Sequence, residues 1–120
     1  MLDLLGLADV AAVRASTLPT GVLRLVELAR ALAGEPRVVL LDEPTTGLDD
    51  AQAARVPVAL RTMAAAGRAV VIVEHDLPLV FAAADVVHVL ARGRIVAAGN
   101  PSQVRADPAT AAAFAIGVEP

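Results

Sequence analysis

The chain has 120 residues, a net charge of −3, no cysteine, two Phe and neither Tyr nor Trp. All ten cations are arginine, so there is no phosphate-gripping lysine and no Gly-Lys-Ser/Thr loop. An acidic balance without a basic run argues against a nucleic-acid surface, and the absence of cysteine suits a reducing cytoplasm. Met1-Leu2-Asp3 does not open a signal peptide. No apolar run reaches the roughly 18–20 residues that would span a bilayer.

In chain order, Leu2, Leu5, Leu7 and Val10 are spaced for two short helical pieces around Gly6. Ser16 to Gly21 reads as a turn and cap that opens a strong helix. In that helix Leu25, Leu28, Ala29 and Leu32 recur at i, i+3, i+4, i+7. Gly34-Glu35-Pro36 ends it. Val38-Val39-Leu40-Leu41 then reads as a strand buried on both faces, ending in Asp42-Glu43-Pro44. In open α/β sheets ligands sit just outside the carboxyl ends of strands, which places Asp42 and Glu43 where chemistry is expected. Such a pair can hold a hydrated magnesium ion and orient a water toward a phosphate.

Asp49 and Asp50 can cap a helix running toward Ala66, and Pro57 should kink or split it. Ala69 to Val73 predicts a second buried strand, ending in Glu74-His75-Asp76. Asp76 can cap a short helix whose first turn tolerates Pro78. Val86–Leu90 and Ile95–Ala98 flank Arg92-Gly93 as a hairpin, with His88 as a half-buried strand residue. Asn100-Pro101-Ser102-Gln103 predicts a helix start, and a last helix runs from about Pro108 to Phe114. The order predicts part of an α/β sheet.

Leu18-Pro19-Thr20-Gly21 before a helix, Asp42-Glu43 at one strand end, Gly47-Leu48-Asp49 and His75 at the next strand end occur in a specific order. Together they resemble the C-terminal half of the ATPase domain of ABC transporters, over essentially the whole chain. The resemblance implies an α/β fold: a partial P-loop NTPase-like sheet with flanking helices and a C-terminal hairpin plus helices. It assigns residues 1–34 to part of a helical subdomain, 35–99 to core strands and helices, and 100–120 to a helical tail. Leu18 to Val22 match the signature usually written Leu-Ser-Gly-Gly-Gln, which closes on ATP bound by the opposite subunit. The resemblance thus makes Thr20 and Gly21 nucleotide-binding, although Pro19, Thr20 and Val22 depart from the pattern. It makes Asp42 the residue that holds Mg2+ through water, Glu43 the general base, Asp49 a dimer-interface contact near the nucleotide, and His75 the γ-phosphate sensor.

Glu74 to Val80 with Asp85, the stretch Gly99 to Pro108, and Phe114-Ala115-Ile116-Gly117 are similar to ATP-binding subunits of branched-chain amino-acid transporters. Lipopolysaccharide-transport ATPases share much of this ending. The partners implied are a second ATPase subunit and the transporter membrane subunits, with no nucleic acid and a place on the inner face of the cell membrane. The family's adenine-stacking aromatic, phosphate loop and glutamine loop have no match here. ATP and Mg2+ are therefore expected to bind only with an N-terminal half or a partner subunit, and the chain alone is expected to be inactive. A non-enzymatic module or degenerate remnant pairing with a full ATPase subunit is the alternative, and a DNA-repair or translation ATPase a third.

Overall fold

A computed structural model describes residues 1–115. The chain forms two compact units, Met1–Leu79 and the residues from Val80 onward.

In the first unit, helix α1 (Leu2–Leu5) and 3-10 turns at Ala8–Val10 and Ala15–Thr17 lead into α2 (Thr20–Ala33). The predicted apolar stripe is the buried one: Leu25, Leu28, Ala29 and Leu32 face the core. The helix start differs from expectation. Pro19 stands at the N-cap with no side-chain cap, and Thr20 is already helical. Proline's fixed φ suits that position, so no hydroxyl is spent there.

Strand β1 (Val38–Asp42) pairs in parallel with β2 (Ala69–Val73), in a register that sets Leu40 opposite Val71 and Asp42 opposite Val73. Between them run α3 (Asp50–Ala53) and α4 (Arg55–Ala65). Asp49 caps α3 in a reciprocal box with Gln52. The predicted helix is split just ahead of Pro57, which falls in the first turn of α4, where its missing N–H has no intrahelical acceptor to lose. Val56, Ala59, Leu60 and Met63 of α4 are buried.

The expectation that both strands are buried on two faces is corrected. Val39 is 4% exposed, but Leu40 is 73%, Val38 58%, Val71 53% and Val73 60%. Side chains alternate along a strand, and the parallel register puts Val38, Leu40, Val71 and Val73 on one face. The face carrying Val39 is the one turned toward the core.

The second unit takes in most of α5 (Leu77–Ala83), whose start is tied by the Leu79 N–H donating to Asp76 Oδ1 at 3.2 Å. Strands β3 (Val87–Ala91) and β4 (Arg94–Gly99) pair antiparallel across the predicted turn. Arg92 and Gly93 both have positive φ, 49° and 75°, as a two-residue primed turn requires. Helix α6 (Pro101–Ala106) begins with the expected box, Asn100 with Gln103 and Pro101 in the first turn. Helix α7 is Pro108–Ala115. Val87, Val89, Ala97 and Val104 form the core here, with Phe81 and Phe114 packed on it. His88 is exposed rather than half-buried, because alternation on β3 turns it away from Val87 and Val89. The Phe114 to Gly117 ending runs past Ala115, outside the described residues.

Candidate functional site

At the end of β1 the chain turns out of the sheet through Glu43, whose φ is +44°. An L-residue with a Cβ pays about 1–2 kcal/mol for a left-handed backbone. Several bonds hold it there. The Glu43 N–H donates to Val73 O across the sheet at 2.8 Å, and the Thr46 N–H donates back to Glu43 O at 3.2 Å. Pro44 is buried and anchors the turn. Gly47, at φ +83°, then carries the loop into Asp49.

The paired strand supplies the second half of the site. His75 follows β2 one residue on, after Glu74, and its Nδ1 stands 3.6 Å from Glu43 Oε1. Both groups are open to solvent, the His75 side chain at 75% exposure and Glu43 at 51%. Thr46 Oγ1 donates to the other carboxylate oxygen, Glu43 Oε2, at 3.2 Å. Beneath them lies Glu74, whose side chain has no exposed surface. Its Oε1 accepts from the Thr45 N–H at 3.1 Å and from Thr45 Oγ1 at 2.6 Å. Its Oε2 accepts from the His75 N–H at 3.2 Å and lies 3.9 Å from His75 Nδ1. The sequence alone assigns Glu74 no role in the site. Its signal was an acid one residue before His75, at the end of a strand parallel to the one carrying Asp42-Glu43.

Asp42 is exposed at the last position of β1, on the uncovered face of the sheet. It lines a cavity of about 160 Å³ with Arg24, Glu27, Leu28, Leu40 and Pro44 among its neighbours. Among the described residues no cluster of three or more His, Cys, Asp or Glu could enclose a metal ion. A lone accessible carboxylate still fits magnesium, which keeps several waters and takes one or two carboxylates plus phosphate oxygens.

Thr20 and Gly21 belong to a second group of contacts, in the first turn of α2. A Cβ on Gly21 would lie 2.6 Å from Gln52 Oε1 and 3.2 Å from Gln52 Nε2. Gln52 Oε1 in turn accepts from the Asp49 N–H at 3.1 Å, while the Gln52 N–H donates to Asp49 Oδ1 at 2.8 Å. A side chain at position 21 would therefore push the Gln52 amide aside, a constraint that arises inside this chain, apart from any ligand. Asp49 spends a carboxylate oxygen on its cap. The structure joins Glu43 to His75, and Gly21 through Gln52 to Asp49, by separate sets of contacts.

The family model described as ABC transporter matches residues 1–46, from α1 to the turn after Glu43. The chain is 39% identical over 107 residues to a phosphate import ATP-binding protein of Natronomonas pharaonis. It is 42% identical over 110 residues to an Fe(3+) ions import ATP-binding protein of Streptomyces avermitilis. These alignments take in 89% and 91% of this chain but only 38% and 32% of those proteins. Among solved structures, an ATP-binding cassette of an ABC transporter in its ADP conformation superposes with a TM-score of 0.78 at 29% identity. That match covers 95% of this chain and 46% of the other. These residues have the fold of part of an ABC transporter ATP-binding domain. The chain spans less than half the length of each of these relatives and of the solved cassette. Among the described residues, no helix is long and apolar enough to cross a membrane.

Proposed function

We propose that this chain supplies the hydrolytic strand ends of an ATP-binding subunit of an ABC transporter, and that a phosphate-loop segment or partner subunit must complete them. The observation that carries the reading is the meeting of Glu43 and His75 at 3.6 Å across two parallel strand ends. Glu43 accepts a hydrogen bond from the attacking water and orients it in line with the γ-phosphate. His75 presents Nδ1 to Glu43, which leaves Nε2 to face the phosphate. Asp42 is the residue that would hold magnesium through water, and a bound ion would neutralise charge on the phosphates. Thr20 and Gly21 open α2, whose first N–H groups lack intrahelical acceptors and can meet phosphate oxygens of a nucleotide held by a second subunit. Asp49, at the start of α3, contacts that subunit.

The uncovered face with Leu40 and Val71 supports the need for a further segment, since an apolar face of this kind is costly to leave in water. The same face suits the alternative, a non-enzymatic module that docks on a full ATPase subunit. Membrane subunits of the transporter hold the assembly at the inner face of the cell membrane and choose the solute. For the solute we infer an amino acid of the branched-chain type, on the Glu74–Val80 and Gly99–Pro108 stretches. Methionine, phosphate and ferric-ion importers among the relatives are the competing assignments.

The test is ATP turnover by the chain alone and after co-expression with the phosphate-loop portion of a homologous ATP-binding domain. The expected result is none alone, and Mg2+-dependent turnover on complementation that Glu43→Gln abolishes. Complemented turnover that is indifferent to Glu43→Gln would sink the hydrolytic reading. A stable complex that stays inactive would favour the docking module.

A further inference from the structure

Glu43 and His75 are each more than half exposed, and neither has a packing environment that would fix it. Glu43 also sits in a left-handed backbone conformation, at φ +44°. Strained conformations persist only where their surroundings over-determine them. The bonds from Glu43 N–H and O and the buried Pro44 shape the turn itself, but none of them reaches the segment after Val73 that carries His75. Thr45 is tied twice, by its N–H and its hydroxyl, to a single oxygen of Glu74. The other oxygen of the same carboxylate takes the His75 N–H. One fully buried side chain therefore grips the segment after Glu43 with one oxygen and the segment carrying His75 with the other. A charged acceptor with buried geometry makes stronger bonds than a neutral one, and its removal would leave the Thr45 donors unsatisfied.

We propose that Glu74 is a positioning residue: its carboxylate clamps Thr45 to His75, holding Glu43 in its left-handed conformation and keeping it opposite the His75 ring. The functional consequence rests on the hydrolytic reading above, whereas the clamp itself does not. Glu74 touches neither water nor phosphate in this scheme and acts only through the two residues it ties.

The experiment uses the full 120-residue chain labelled with nitrogen-15, without nucleotide, so its outcome is separate from any result on ATP turnover. Amide hydrogen exchange is followed at Thr45, His75, Leu41 and Val71 in wild type, Glu74→Ala and Glu74→Gln. In Glu74→Ala we expect Thr45 and His75 to exchange about tenfold faster or more, the size set by losing a charge-assisted bond. Leu41 and Val71, whose amides lie in the β1–β2 ladder, should stay close to wild type. In Glu74→Gln the Oε1 arm is kept while an NH2 group faces the His75 N–H, so only His75 should speed up. The second readout is the shift of the His75 ring signals caused by Glu43→Gln. It should be present in the wild-type background and fall by at least half in Glu74→Ala. A uniform rise in exchange across all four amides would mean a merely structural role and overturn the proposal. So would unchanged Thr45 and His75 exchange, or an undiminished ring response. Should Glu74→Ala not fold, Glu74→Gln decides: loss at His75 with Thr45 retained supports the clamp, and any other pattern refutes it.

Discussion

Replacing Glu43 by glycine should leave the protein more stable than replacing it by alanine, against the usual order. Both substitutions remove the same side-chain contacts, the 3.2 Å bond from Thr46 Oγ1 and the 3.6 Å approach of His75, so those losses cancel in the comparison. What differs is the backbone. At φ +44°, alanine keeps a Cβ in the left-handed region, which costs about 1–2 kcal/mol, whereas glycine has no such penalty. Against this, glycine's greater freedom in the unfolded chain costs about 0.5–1 kcal/mol. The difference favours Glu43→Gly by up to about 1.5 kcal/mol, with a central value of about 0.75 kcal/mol. With no Trp or Tyr to report by fluorescence and two compact units in the chain, a single melting curve is a poor assay. Native-state hydrogen exchange of the β1 and β2 amides in the two variants reads the first unit alone. If Glu43→Gly proves less stable than Glu43→Ala by the ordinary margin, the backbone at position 43 is not held left-handed, and the strain reasoning fails.

Gly21→Ala pits two effects of similar size against each other. Alanine favours the helix by about 0.5–1 kcal/mol, but its Cβ displaces Gln52 Oε1 and so breaks one arm of the box at Asp49. The single variant should be near neutral in native-state hydrogen exchange of the α2 amides. In a Gln52→Ala background it should turn stabilising, and additive effects in that double-mutant cycle would refute the contact. In the second unit, Arg92→Asn should stabilise the hairpin by roughly 0.5 kcal/mol, since asparagine tolerates the positive φ that arginine resists. Slower exchange of the Val89 and Ala97 amides is the expected sign, and faster exchange would contradict it.

Much of this architecture is written locally in the sequence. The stripe of Leu25, Leu28, Ala29 and Leu32, the Asn100–Gln103 box, the Arg92-Gly93 turn and the break ahead of Pro57 depend on residues within one or two turns of each other. Their physics is that of φ preference, capping and period, which a short window contains. The order of Thr20-Gly21, Asp42-Glu43, Asp49 and His75 was likewise legible and carried the resemblance to ABC ATPases. The tertiary structure decided the rest. Four consecutive aliphatics read the same whether a strand is covered on one face or two, and only the helices packed against β1 and β2 leave Leu40 and Val71 in the open. Thr45 and Glu74 are 29 residues apart, and nothing local says that they meet. Their bond, the left-handed turn it secures at Glu43 and the crowding of Gly21 by Gln52 follow from strand register and helix placement. Such contacts belong to the folded chain because they exist only once distant segments have been brought together, at an entropic cost that no local pattern records.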